Sequence, residues 1–235
     1  FLELPVGARG IAMGSAQGAA VNDAKALYYN PAALASITGG NAVFMHSAYF
    51  EGMTYDYLSA AQRMRDWGTL GFGVQYFTPG SLEEVDNTGT STGGSFKPAD
   101  LATSLGYGRN LGDLELGAGM KYVSSKIQAT ATTFAVDMGA RYRMGQFALS
   151  GGLANIGQGL KFREKRDSLP ASMRLGSSLE LRRWVLAMDL VSPRGASPFL
   201  GLGVEYAYTI PERTTIFGRA GYNSRTASSQ LGTTA

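Results

Sequence analysis

The stretch LELGAGMKYVSS, residues 114–125, decides the fold. Its even positions read Leu114, Leu116, Ala118, Met120 and Tyr122, and its odd positions Glu115, Gly117, Gly119, Lys121 and Val123. Successive side chains of a strand point to opposite faces, so one face here is apolar and the other is glycine and charge. The next run repeats the sorting. Phe134, Val136, Met138, Ala140, Tyr142 and Met144 oppose Ala135, Asp137, Gly139, Arg141 and Arg143.

Working outward, the rule persists. Met173, Leu175, Leu179 and Leu181 oppose Arg174, Glu180 and Arg182, and Trp184, Leu186, Met188 and Leu190 oppose Ala187 and Asp189. Leu200, Leu202, Val204, Tyr206 and Tyr208 oppose Gly201, Gly203 and Glu205. Two runs are ambiguous. In residues 55–64 both faces are mixed, and in 214–222 Phe217 shares a face with Arg219.

A soluble β-sandwich or soluble barrel also alternates. Two features favour a transmembrane antiparallel β-barrel. Aromatics such as Tyr76, Tyr107, Tyr122, Tyr142, Trp184 and Tyr208 stand toward the ends of the apolar face, where a membrane barrel carries its girdles. Connections also alternate in length. Short ones fall near 66–67, 110–113, 145, 183 and 211–212, and longer ones near 78–97, 124–132, 157–170 and 192–198. Hydrocarbon offers no partner to backbone N–H and C=O groups, so strands cross it only as a closed sheet.

About eleven strands are expected, starting near Asn41, Thr54, Thr69, Ala99, Leu114, Thr133, Gln146, Ser172, Trp184, Phe199 and Thr214. Single-chain bacterial barrels carry even numbers, so one or more further closing strands are expected beyond the polar run TASSQLGTTA. No basic n-region precedes an apolar stretch near the start of the sequence, and the chain is expected to be part of a mature, processed one.

The segment before the first strand differs. NDAKALYYNPAALASI, residues 22–37, has helical spacing. Asn22 or Asp23 is expected to cap a short helix through Tyr28, and Pro31 to open a second over 32–37. The block is too short for a core of its own. It divides the chain into a segment 1–40 and a strand region 41–235. Folding into the barrel lumen would cover its apolar side chains; a periplasmic tail docked outside is the alternative.

Composition narrows the function. Only 17% of residues are charged, 32 are Gly, and none is Cys, which removes disulfide, zinc-thiolate and cysteine-nucleophile chemistry. A net charge of +3 is no nucleic-acid footprint. No apolar run reaches the roughly 18 residues of a membrane helix.

Candidate sites are sparse. His46 is the lone histidine, and Ser47 beside it faces the opposite way, so a strand or rim residue is the better reading than a catalytic one. Gly71, Gly73, Gly201 and Gly203 lie within strands, where small residues leave room in the lumen. Glu83, Glu84 and Asp86 read as a solvated loop before a calcium site. No cofactor, metal centre or catalytic residue is assigned. The inward charges Glu115, Lys121, Asp137, Arg141, Arg143, Arg174, Glu180, Arg182, Asp189, Glu205 and Arg219 mix both signs. A selective pore would segregate one sign, so a bracing ladder in a plugged barrel is expected. A hairpin centred near Ala129 sets Lys121 opposite Asp137 and Glu115 opposite Arg143.

The run GARGIAMGSAQGAAVNDAKALYYNPAALASI resembles the N-terminal region of the FadL-like outer-membrane superfamily, and most of all its PorV/PorQ branch. The small-Gly run, the acidic residue before ALYYNPA and the Asn30-Pro31-Ala32 triplet all match, with ANIG, LPASMRLG and FGRAGY following in order, and it is that order rather than any single motif that carries the resemblance. Where relatives often have a second Gly, this chain has MGSA. The resemblance implies a bacterial outer-membrane barrel of about fourteen strands with the N-terminal segment as a hatch. It implies a non-enzymatic role. One form is type 9 secretion with envelope partners; the alternatives are carriage of a hydrophobic small molecule such as a fatty acid, and a structural barrel docked to a surface assembly. Outer-membrane lipid or lipopolysaccharide would surround it.

Overall fold

The computed structural model describes residues 1–86, 88–127, 129–162, 165–210 and 214–227. Its body is one antiparallel sheet of 11 strands. In chain order these are β1 (Gly40–Ala48), β2 (Thr54–Arg63), β3 (Thr69–Thr78), β6 (Ala99–Leu111), β7 (Leu114–Lys126), β8 (Thr130–Met144) and β9 (Phe147–Gly157). They continue with β12 (Ser172–Leu181), β13 (Trp184–Pro193), β14 (Phe199–Ile210) and β15 (Thr214–Asn223). Each pairs with the next, so the sheet is a meander with β1 and β15 at its edges. Two small hairpins, β4–β5 (Leu82–Val85, Ser91–Phe96) and β10–β11 (Leu160–Phe162, Lys165–Asp167), occupy two of the long connections. No helix is long and apolar enough to cross a membrane.

The two faces are sorted inside out for water. Leu116, Met120, Phe134, Met138, Leu175 and Met188 are exposed, while Glu115, Lys121, Asp137, Arg141 and Asp189 are buried. A continuous apolar belt of this kind is a contact surface, and a sheet that buries its charges and exposes its Leu and Met suits hydrocarbon outside.

The buried face is covered by the N-terminal segment. It contains α1 (Ala8–Ala12), α2 (Ala26–Tyr29) and a 3-10 turn over Pro31–Ser36. The expected cap at Asn22 or Asp23 does not form: α2 starts after Lys25 without a side-chain cap. Asp23 instead accepts from the Lys25 N–H, at 2.9 Å, one turn too early. Asn30 is the capping residue, accepting the Ala32 N–H at 3.0 Å with Pro31 in the first turn, where no donor is needed.

The contacts of this segment reveal the curl of the sheet. Gly7 meets Met45 on β1, and two residues later Arg9 meets Glu205 on β14. Leu4 meets Tyr55 on β2, while Glu3 pairs with Arg225 just past β15. Both edges of the sheet therefore approach one short piece of chain. Among the described residues β1 and β15 do not pair, so a closed barrel is not formed by them. Across an 11-stranded antiparallel meander the two edge strands run the same way, and only an odd number of intervening strands joins them in antiparallel fashion.

The register of β7 and β8 departs from expectation by two residues. Lys121 faces Ala135, Glu115 faces Arg141, and Gly119 faces Asp137. Both strands extend beyond the expected ends, β7 to Lys126 and β8 from Thr130, so the expected long connection over 124–132 is mostly strand. A shift of two preserves which face each side chain takes, so alternation alone cannot choose between the registers. The expected turn at 211–212 lies outside the described residues.

Candidate functional site

The site is the seam between the N-terminal segment and the buried face of the sheet. Glycines cut the sockets. An added Cβ at Gly201 would lie 2.5 Å from the Gly14 carbonyl oxygen, one at Gly203 2.6 Å from that of Met13, and one at Gly108 2.7 Å from Ala35 N. Gly71 and Gly73 likewise receive Leu34 and Leu27. Segment backbone thus rests directly on sheet backbone, which only the lack of a Cβ permits.

Charged groups fasten what the glycines seat. Arg141, almost fully buried, donates from Nη1 to the carbonyls of Ala19 (3.1 Å) and Val21 (2.7 Å) and from Nη2 to Ser36 Oγ (2.8 Å). Its Nε meets Glu115, whose other oxygen takes Arg143 at 3.1 Å. Asp189 accepts the N–H groups of Gln17 (3.0 Å) and Gly18 (2.8 Å) and pairs with Arg174 at 2.6 Å. Arg174 in turn donates to the Ser15 carbonyl and stands 5.5 Å from the Tyr29 ring. Glu205 holds Arg9 through two bonds and Arg219 through one.

Lys121 and Asp137 do pair, at 2.7 Å, although they are not opposite one another. Their side chains reach diagonally past Gly119, and Glu115 reaches Arg143 the same way. A bulge on β9 completes the cluster. Asn155 has φ 57, donates its N–H to Asp137 at 2.7 Å, accepts Lys121 at 2.8 Å and donates to the Pro170 carbonyl at 3.1 Å. Asn tolerates the left-handed region because its side chain bonds locally.

Two expected ladder members form no ion pair among the described residues. Glu180 is exposed at the end of β12, and Arg182 sits in the following turn at φ 48. Alternation was carried one turn too far there. Asn30 reaches Gly18 O at 3.0 Å and Ala140 O at 3.4 Å, linking segment to wall. Pro31 and Ala32 are buried beside it. His46 shares the outward face with Phe44 and meets Asp56 at 2.6 Å. Asp86 accepts the N–H groups of Thr88 and Thr90 at 2.8 and 3.0 Å, and among the described residues no group of three or more His, Asp or Glu gathers around a point. Sequence reading missed Arg9, Gln17 and Asn155. Arg9 lay in a run that reads as small and Gly-rich, and Asn155 entered only as part of ANIG, with no role given to it.

Between segment and wall lies a cavity of about 60 Å³, lined by Tyr28, Tyr29, Lys121, Asp137, Asn155 and Arg174 among others. Water-sized molecules fit it; a ring does not. The segment is held on the buried face by hydrogen bonds and ion pairs that water can replace.

Comparison with known proteins bears on the fold. No family model and no curated protein matches the chain. Among solved structures, the crystal structure of the Pseudomonas putida toluene transporter TodX is similar, with a TM-score of 0.63 at 16% identity. The similarity covers 93% of this chain and 83% of that one.

Proposed function

We propose that this chain forms the wall and the internal hatch of a FadL-like barrel in the bacterial outer membrane, and that it conducts a small hydrophobic molecule. The observation that supports this most is the fold shared with a toluene transporter along nearly the whole chain. The apolar outward belt and the segment seated against the charged face fit the same reading. The role is passage rather than chemistry, and no nucleic acid takes part. The comparisons lend no support to a type 9 secretion role, so the carrier reading takes precedence over it.

The cavity argues for a gated passage. A pocket that binds benzene measures about 150 Å³. The space beside Tyr28 and Tyr29 is about 60 Å³. A hydrophobic passenger therefore goes through only when part of the N-terminal segment leaves its sockets.

The test uses the native protein reconstituted in lipid vesicles, with entry of toluene and of a fluorescent long-chain fatty acid measured against empty vesicles. The chain has no cysteine, so Glu3→Cys with Arg225→Cys can be bridged by a short bifunctional thiol reagent without background. Entry of one hydrophobic class, lost on bridging and regained on cleavage of the bridge, is the expected result. Equal entry of a hydrophilic sugar, or entry indifferent to the bridge, overturns the reading.

A further inference from the structure

We propose that the short-turn rim of the sheet carries two sites for the anionic headgroup of a membrane glycerophospholipid, one at Arg65 and one at Arg182 and Arg183. The proposal rests on the membrane reading above. In a meander alternate connections share an end, so the turns after β2, β6, β8 and β12 lie on one rim. Each of these turns needs a residue in the left-handed region. Two use glycine, Gly112 at φ 66 and Gly145 at φ 61. The other two place an arginine there, Arg65 at φ 45, with Gly68 at φ 108 later in the same turn, and Arg182 at φ 48. A side chain at such an angle is strained where glycine is not, and strain at a position that glycine could fill points to a role for the side chain.

A second observation falls on the same two turns. The chain has 2 tryptophans, and they are Trp67 and Trp184. Both are exposed, Trp67 at 78% and Trp184 at 48%. Trp67 is held by the Tyr107 hydroxyl on its carbonyl, and Trp184 packs against Tyr206 with ring centroids 4.5 Å apart and the planes tilted by 46°. Each turn borders a surface recess, about 470 Å³ beside Arg65, Trp67, Leu70 and Tyr107, and about 670 Å³ beside Arg182, Arg183, Trp184 and Tyr206.

The recesses have amphiphile chemistry. Leu70, Tyr107, Trp184 and Tyr206 belong to the outward belt, where acyl chains lie, and the guanidinium groups stand at its margin. Arg65, Arg182 and Arg183 form no ion pair among the described residues, although Asp66 and Glu180 are near in sequence. A planar guanidinium bonds a phosphate through two parallel N–H groups, and an indole packs on the glycerol and upper acyl chain.

The two tryptophans make the test direct. The native protein, delipidated and placed in phosphatidylcholine vesicles, is titrated with brominated phosphatidylglycerol or brominated phosphatidylcholine, which quench indole emission on contact. Phosphatidylglycerol is expected to quench at the lower mole fraction. Arg65→Gly with Arg182→Gly should weaken that preference by roughly fivefold per arginine, with added salt doing the same. Because glycine relieves the backbone, the variant should insert and resist heat at least as well as the parent. Equal quenching by the two lipids, an unchanged preference in the variant, or stronger retention of lipopolysaccharide than of phosphatidylglycerol overturns the proposal. Failure of the parent to enter either vesicle overturns the membrane reading and this proposal with it.

Discussion

Single residues carry the grip on the N-terminal segment, and alternation exposes only half of that fact. Which charges face inward was legible, because strand period leaves no choice of side for Glu115, Lys121, Asp137 or Arg141. What they hold was not legible. Arg141 bonds carbonyls of Ala19 and Val21, about 120 residues away, and a backbone acceptor leaves no mark in sequence. The Lys121–Asp137 pair is buried at both ends. Asp137→Lys strands a cation beside Lys121 and beside the Asn155 N–H, and a broken buried pair costs about 3–5 kcal/mol. Adding Lys121→Asp should restore part of the loss, but not all, since Asn155 N–H then faces a donor. The temperature at which the folded band converts to the unfolded one on a gel measures both variants; no recovery in the double variant counts against the pair. Asp86 offers a local pH test outside the wall. The Thr88 hydroxyl, then the Thr90 and Thr88 amides, hold its carboxyl below the usual aspartate range. A depressed carboxyl stabilises its turn above the unfolded pKa and loses that effect as pH falls through the lower folded value. The amide shifts of Thr88 and Thr90 should titrate together with a midpoint below that of an unperturbed aspartate. A midpoint that is not lowered removes the proposed bonds.

Elements were read more surely than their pairing. Ten of the eleven expected strand starts lie within one residue of those found; only Thr133 misses, against Thr130 for β8. The register of β7 on β8 was set two residues wrong for a physical reason. Opposite charges were assumed to sit directly across, yet long side chains beside glycine reach the diagonal neighbour as well. Engineered cysteines decide the matter in a chain that has none. Leu116 and Ala140 are cross-strand partners, so Leu116→Cys with Ala140→Cys should oxidise readily. The pair Leu116→Cys with Tyr142→Cys, two positions off, should oxidise far more slowly. The reverse order would restore the expected register. Helices in the N-terminal segment were the hardest to place, since elements of 4 to 6 residues owe their shape to sockets in the wall rather than to propensity.

At the scale of the molecule, sequence pattern disclosed a sheet with one apolar and one charged face, while the seating of the segment needed three dimensions. Removing residues 1–37 would leave Arg141, Asp189 and Glu205 without their acceptors and donors from the segment. The truncated protein should keep its sheet by circular dichroism yet convert on the gel at a markedly lower temperature; an unchanged conversion temperature would mean the segment is a passenger. The same contacts set a clock on assembly. The Asn223 amide bonds the Gly14 carbonyl across 209 residues, while Asn30 and Arg63 need only the earlier strands and their neighbours. Loops of such length close slowly. The N-terminal stretch is thus among the last parts of the chain to be secured, and until β14 and β15 are in place it stays open to proteolysis.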